Sequence, residues 1–504
     1  MRVLPHSLVE DPRRALLPLA LLLRPLLTKK ILFPDPAKPG PFPETRSMSN
    51  STSKPLPNAL PDQLWRPLTQ HQNLQGKASH FMVEAKGCYV TDQDGKSYLD
   101  SLAGLWCVNV GYGRQELADI AQAQMARLPY LNPTLTAEPT AIFANTLQDL
   151  LGFKGHVYFS ASGSEANETA FKIARQYHLQ AGTSGQRRFK IISRYRAYHG
   201  NTMGALAATG QAERKIGYEP GPPGFVHVMP PYPYRAHPKL TLEEHGEECA
   251  HQIEETIIYE GSDTVAAVIM EPIISGGGVL IPPANYLPRV REICDRYGVL
   301  LIFDEVVSGF GRTGSLFGHL HFDTLPDIIT FAKGLASGYM PIGATVTREE
   351  IFNSFLGEPG DLSHFRQVNT FGGHPVATAV AQKAVEITLE EDLAGNARDV
   401  GEYLRGQLQE TIGEHPHVGD IRGVGLLNAV ELVEDKASKE PLREAGVTGI
   451  IANAFENGVI LGRNGNTIPG RCNILLISPP LILNRMDADK IVEAVAAGLS
   501  AITH

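Results

Sequence analysis

Cysteine is scarce and scattered in this chain of 504 residues. Cys88, Cys107, Cys249, Cys294 and Cys472 are odd in number and never form a CxxC pair. That argues against a disulfide framework and a zinc site, and for a reducing compartment, the cytoplasm. A basic excess is missing too. Lys+Arg is 45 against Asp+Glu 54, a formal charge of −9, with no long basic run. Nucleic acid is therefore not an expected partner. Nor is there a long apolar run. Ala15–Leu27 is broken by Pro18, Arg24 and Pro25 and falls short of the roughly 20 residues that span a bilayer. Thr28, Lys29 and Lys30 follow, where a secretory leader wants small residues. No membrane partner is expected. Residues 1–47 read as a disordered extension or a misassigned start, and Met48 opens a polar leader, SNSTSKPLPN.

What remains has the composition of a large globular enzyme. Hydrophobic residues make up 43% and charged residues 20%, so the chain can bury a sizeable core. The 49 glycines and 36 prolines imply many sharp turns. A prior of about 150 residues per domain suggests about three units, although large α/β domains exceed it.

The middle of the chain alternates short apolar runs with amphipathic segments. Strands are expected at His156–Phe159, Phe189–Ile192, Val265–Met270, Val299–Phe303 and Ile328–Phe331. A helix follows Ser162–Ser164, with Ala166, Ala170, Ile173, Ala174 and Tyr177 on one face, and another spans Tyr286–Tyr297. Such strands separated by helices make a mostly parallel sheet covered on both faces. Pro220–Pro233 is the longest irregular stretch. Beyond about residue 380 the pattern becomes that of a smaller α+β unit. Helices are expected at Val376–Leu389, Gly401–Ile412 and Asp487–Ala497, and strands at Gly425–Leu432 and Ile474–Ser478. The segment Phe81–Leu99 joins it, with a hairpin turn at Asp94-Gly95. The implied organisation is 48–100 and 376–504 in the small domain and 101–375 in the large one.

Polar residues follow the carboxyl ends of these strands, the edge where open α/β sheets bind ligands. Ser162, Gly163 and Ser164 open a helix, whose free N–H groups suit an anion; alone the segment reads as an ordinary N-cap at Ser162 or Ser164. Asp304 ends a buried strand, where a carboxylate needs a cation or a cap. Lys333 follows the next strand; alone it reads as a surface lysine, and with a lowered pKa it becomes a Schiff-base amine. Glu271 lies on the same rim. An anion cradle, a carboxylate and a lysine together suit pyridoxal 5′-phosphate: cradle to phosphate, carboxylate to pyridine nitrogen, lysine to the aldehyde carbon. Tyr198 is placed to stack on such a ring.

The motifs SGSEANETAFKIAR, YHGNT, EPIISGGGV, LLIFDEVVSGFGRTG, AKGLASGYMPIGA and TFGGHP together resemble those of the class III pyridoxal-phosphate aminotransferases, from about Leu64 to the C-terminus. LWCVNVGYGR is similar to the ω-amino acid:pyruvate subgroup, and IPGRCNILLISPPLI to taurine:pyruvate enzymes. The resemblance implies a fold-type I α/β transferase, with a mostly parallel seven-stranded sheet and a smaller α+β domain. It implies a homodimer or homotetramer with active sites at the subunit interface. It assigns Lys333 to the cofactor bond and Asp304 to the pyridine nitrogen. Ser162, Gly163 and Ser164 fall to the phosphate cup, Tyr198 and Val306 to the two sides of the ring, and Glu271 to a place near the cofactor. Thr370 is assigned to the phosphate of the neighbouring subunit's cofactor, and Trp106 to a wall of the substrate pocket or to the core.

Two departures bear on specificity. Relatives acting on ornithine or 4-aminobutyrate carry EPIQGE, whose last Glu gates an arginine; here Ile274 and Gly276 hold the Gln and Glu positions. The arginine position of amine:pyruvate relatives aligns with Gly462, leaving Arg463 or Arg471 to bind the substrate carboxylate. The implied reaction moves an amino group from an ω-amino acid or amine (taurine, β-alanine, a polyamine) to pyruvate, giving alanine. The alternatives are a glutamate-1-semialdehyde-type aminomutase, which shares the lysine and aspartate, and a non-catalytic regulator, which would want a basic DNA-binding domain.

Overall fold

The computed structural model describes residues 64–74, 81–181, 187–465 and 467–502. The expectation for residues 1–47 lies outside them. The elements below all belong to one packing unit, 66–75 with 79–504.

Its centre is a seven-stranded sheet built from β1 (Gly155–Ser160), β2 (Lys190–Arg194), β3 (Phe225–Val228), β4 (Val265–Met270), β5 (Leu300–Asp304), β6 (Ile328–Phe331) and β7 (Gly343–Arg348). The order across the sheet is β1-β7-β6-β5-β4-β2-β3. Only β7 runs against its neighbours. Central strands covered on both faces should be apolar at every position, and all six residues of β4 are buried. Phe303, Phe331 and Val346 join Val268 and Met270 in the same core.

Helix α1 (Gly163–Ala181) packs on this sheet, burying Ala166, Ala170, Ile173 and Ala174. Helices α2 (Leu242–Glu260) and α3 (Tyr286–Tyr297) pack into the same core through Ile253, Ile257, Val290 and Ile293. Thr241 caps α2 in a reciprocal box with Glu244. Gly298, in the left-handed region at φ 62, ends α3.

Pro220–Pro233 is not wholly irregular: Phe225–Val228 forms an edge strand beside β2. The flanking prolines hid it, and an edge is where a sheet tolerates them. β7 was also missed, because GATVTR is too polar to stand out as a buried run, yet five of its six residues are buried.

A second apolar cluster gathers the C-terminal elements with part of the N-terminal segment, among them Leu99, Leu404, Val430, Leu475 and Ile491. The strand expected at Gly425–Leu432 is instead one arm of a hairpin, Val418–Val424 with Leu427–Asp435. Gly425 turns the corner at φ +56, with the main chain of Thr313 and Gly314 against the place a Cβ would take. The helix expected at Gly401–Ile412 starts earlier, at Leu393, where Asp392 accepts from the Gly395 N–H. The Tyr89–Asp92 and Ser97–Asp100 hairpin forms as expected, and Leu99 and Asp100 pair in parallel with Val459 and Ile460.

Candidate active site

Register brings the polar strand ends together. Met270 lies opposite Phe303, and Asp304 opposite Thr330. Glu271, Asp304 and Lys333 therefore share one rim, and the two carboxylates act electrostatically on the Lys333 amine.

Asp304 is buried and carries three donors. Asn167 Nδ2 and His199 Nδ1 each lie 2.8 Å from Oδ2, and the Val306 N–H lies 3.0 Å from Oδ1. Asn167 is itself fixed: its Nδ2 also donates to the His199 carbonyl at 2.7 Å, and Thr330 Oγ1 donates to its Oδ1 at 2.8 Å. A carboxylate braced on this side is held in one rotamer, which is what a pyridinium partner needs. Asn167 and His199 were not singled out from sequence, although each lies inside a quoted motif. Their positions next to known parts were the only signal.

Lys333 opens a short 3-10 turn, Lys333–Ala336, with its own φ at +47. That backbone is uncommon for a lysine. Its side chain is half-buried, and Nζ sits 5.4 Å from the centre of the Trp106 ring. It makes no hydrogen bond or ion pair with any described residue. Burial holds its pKa below the ordinary lysine value, and Cys107, Asp304 and Glu271 pull the other way. The result is an amine that loses its proton more readily than an exposed lysine does.

The cup lies at the start of α1. Ser162 Oγ accepts from the Glu165 N–H at 3.3 Å, so Ser162 is the cap the sequence allowed. The N–H groups of Gly163 and Ser164 fall in the first turn, where no intrahelical acceptor exists. A Cβ on Gly163 would sit 3.1 Å from both methyl carbons of Val306, so glycine keeps this floor open. Ser164 Oγ and the Asn201 N–H meet at 3.1 Å, tying the cup to the Tyr198–Asn201 loop.

Glu271 is buried. Its carboxylate accepts from the Tyr198 and Ser275 N–H groups at 3.1 and 2.9 Å. Burial raises its pKa above the usual carboxylate range. It thus anchors the backbone of Tyr198, whose ring carries the guanidinium of Arg214 at 4.8 Å. Trp106 is half-buried rather than a plain core residue, and its Nε1 is buried without a partner.

No hydrogen bond or ion pair among the described residues joins Arg463, Arg471 or Thr370 to this cluster. Arg463 is paired with Glu444 at 2.8 Å. Arg471 is exposed and borders a separate cavity of about 510 Å³ beside Tyr232, Arg235 and Cys249. The arginine that does reach this cluster is Arg214, against the Tyr198 ring. Thr370 is exposed, and its carbonyl accepts from Tyr130 Oη at 3.0 Å.

A braced carboxylate, a helix start kept open by glycine and a lysine without a partner among the described residues fit pyridoxal 5′-phosphate. They define a fold-type I pyridoxal-phosphate transferase on an α/β scaffold. Residues 71–499 match the family described as aminotransferase class-III. The uncharacterized aminotransferase YhxA of Bacillus subtilis (strain 168) is 50% identical over 420 residues, 83% of this chain and 91% of that protein. The taurine–pyruvate aminotransferase of Bilophila wadsworthia is 42% identical, covering 87% of this chain and 95% of its own. A Bacillus anthracis aminotransferase crystal structure superposes with a TM-score of 0.84 at 45% identity, over 87% of this chain and 96% of that one. The chain belongs to the class III aminotransferases. It is an enzyme, and its cofactor is pyridoxal 5′-phosphate.

Proposed function

We propose that this enzyme transfers the amino group of an ω-amino acid or amine to pyruvate, with taurine and β-alanine as the leading donors. The observation that carries the reading is the Lys333 amine, free of partners among the described residues, beside the braced carboxylate of Asp304. The likeness to a taurine–pyruvate aminotransferase supports the choice of acceptor and donor.

When bound, the cofactor supplies an electron sink that acidifies the amine-bearing carbon of the substrate. The residues do the rest. Asp304 would hold the pyridine nitrogen, the Gly163 and Ser164 N–H groups would hold the phosphate, and Val306 and Tyr198 would pack against the ring. Lys333 Nζ takes the proton from the donor carbon and returns it, as base and then acid. Its lowered pKa favours the neutral amine that the first step requires. Trp106 shields that amine from one side.

The same reading makes the enzyme a cytoplasmic homodimer or dimer of dimers. Thr370 and the apolar side chains Leu362, Val368 and Phe371 beside it are exposed, at 70%, 68% and 60% for the latter three. That is a surface suited to a second copy. No helix among the described residues is long and apolar enough to cross a membrane.

The test is alanine formation from pyruvate across a panel of amines. Taurine or β-alanine should yield alanine in proportion to donor consumed. Isomerisation of a single substrate with no alanine would identify an aminomutase instead.

A further inference from the structure

Arginines near this site are almost all spoken for. Arg194 donates to the Glu271 carbonyl and Arg196 to the Gly277 carbonyl. Arg235 and Arg422 pair with Glu431 at 2.7 and 2.8 Å. Arg463 pairs with Glu444. Among the described residues, Arg214 uses only its side-chain Nε in a hydrogen bond, to Gln211 Oε1. It is half-buried, on the short helix Ala212–Lys215, and has no ion pair with any described residue.

It is nevertheless held. Gln211 is buried, and its Nε2 donates to the Arg196 carbonyl at 2.9 Å. That leaves Gln211 Oε1 to accept from Arg214 Nε at 2.6 Å. The guanidinium carbon rests 4.8 Å from the centre of the Tyr198 ring. One edge and one face are thereby used. The two terminal NH2 groups remain, and they form the fork that grips an oxyanion.

The fork belongs to the substrate space. The charge of Arg214 is felt at the Lys333 amine. A Cβ on Gly276 would lie 3.8 Å from Trp106 Cη2 and 4.0 Å from Gln211 Nε2, so these three line one volume. A larger residue at 276 would occupy it. Burial lowers the pKa of Arg214, and Tyr198 and Glu213 pull the other way.

Resting on the aminotransferase reading above, we propose that Arg214, oriented by Gln211 and Tyr198, is the residue that binds the acid group of this enzyme's substrates. The ligand class is a carboxylate or sulfonate on a small organic body. It comes either from the α-carboxylate of the keto acid or from the far end of an ω-amino acid. A bidentate pair to a partly buried guanidinium suits both.

The experiment uses Arg214→Met and Arg214→Lys holoenzymes in the two half-reactions, followed by cofactor absorbance. Taurine is compared with propylamine, and pyruvate with butanal, so that each acid-bearing substrate has an acid-free counterpart. In Arg214→Met the kcat/KM ratio of taurine to propylamine, or of pyruvate to butanal, should fall about tenfold or more. The pair that falls identifies the source of the acid. Arg214→Lys, which keeps the charge and loses the fork, should fall between. Calorimetric binding of ethanesulfonate and propionate, which carry no amine or carbonyl to react, reads the same site without turnover. Loss of that binding in Arg214→Met would uphold the acid site even if no amine gave alanine. Both ratios and both binding constants unchanged would overturn it.

Discussion

Asn167 Nδ2 donates to Asp304 Oδ2 across 2.8 Å, linking α1 to the end of β5 in the floor of the site. The same amide nitrogen holds the His199 carbonyl, and Thr330 satisfies the amide oxygen. Both ends of the Asn167 amide are thus engaged, so a change at Asn167 should be read at Asp304.

Asn167→Leu removes one of three donors and leaves the other two. Hydrogen bonds to charged groups contribute about 1.5–3 kcal/mol, or roughly 10- to 150-fold in an equilibrium constant. Cofactor binding, titrated by absorbance on the cofactor-free protein, should weaken within that range. An unchanged constant would mean that His199 and Val306 alone hold Asp304.

Lys333 gives a pH signature in the cofactor-free protein. Its unfolded value is ordinary, 10.5, and burial lowers the folded one. Between the two, the unfolded chain binds more protons, so stability rises with pH in that window. Below it, folding carries the full cost of the partly buried charge. Lys333→Met should therefore be more stable than the wild type at pH 7 in urea unfolding. The gap should narrow as pH climbs through the lowered folded value toward 10.5. A gap that widens with pH would reverse the assigned direction.

Gly163→Ala sets a methyl 3.1 Å from both Val306 methyl carbons. Crowding of this kind costs about 1–3 kcal/mol in a tight core, and here the N–H groups of the cup must shift to relieve it. The fold should survive, with the thermal midpoint down by a few degrees. Cofactor affinity should drop more than that stability loss accounts for. Equal losses in both would make Gly163 a packing residue only.

Gly276→Leu fills the volume between Trp106 and Gln211. The KM for a bulky arylalkylamine should rise several-fold more than that for β-alanine, read from initial rates of alanine formation. A uniform change across donors would place Gly276 outside the donor pocket.

Much of this site was legible because buried strands announce themselves. Val265–Met270 and Ile328–Phe331 were read to the residue, since every position is apolar or buried and the next polar residue marks the rim. The parts that were not legible depend on register or on side-chain direction. β7 and β3 carry polar or proline-flanked sequences and take their place only by pairing with stronger neighbours. The arginines show the other limit. Arg463 and Arg471 were reached by alignment of a loop, whereas Arg214 approaches Tyr198 from a four-residue helix that spacing does not reveal. Asn167 lies four residues past Gly163 on α1, and only the packing of α1 on the sheet turns its amide to Asp304.

The most direct measurement is the site of covalent attachment. Holoenzyme reduced with borohydride, digested and mapped by mass spectrometry should carry the pyridoxyl group on the peptide containing Lys333 and on no other lysine. Lys333→Ala should carry none and form no alanine. Label on a different lysine, or normal turnover by Lys333→Ala, would contradict the assignment on which the proposed chemistry stands.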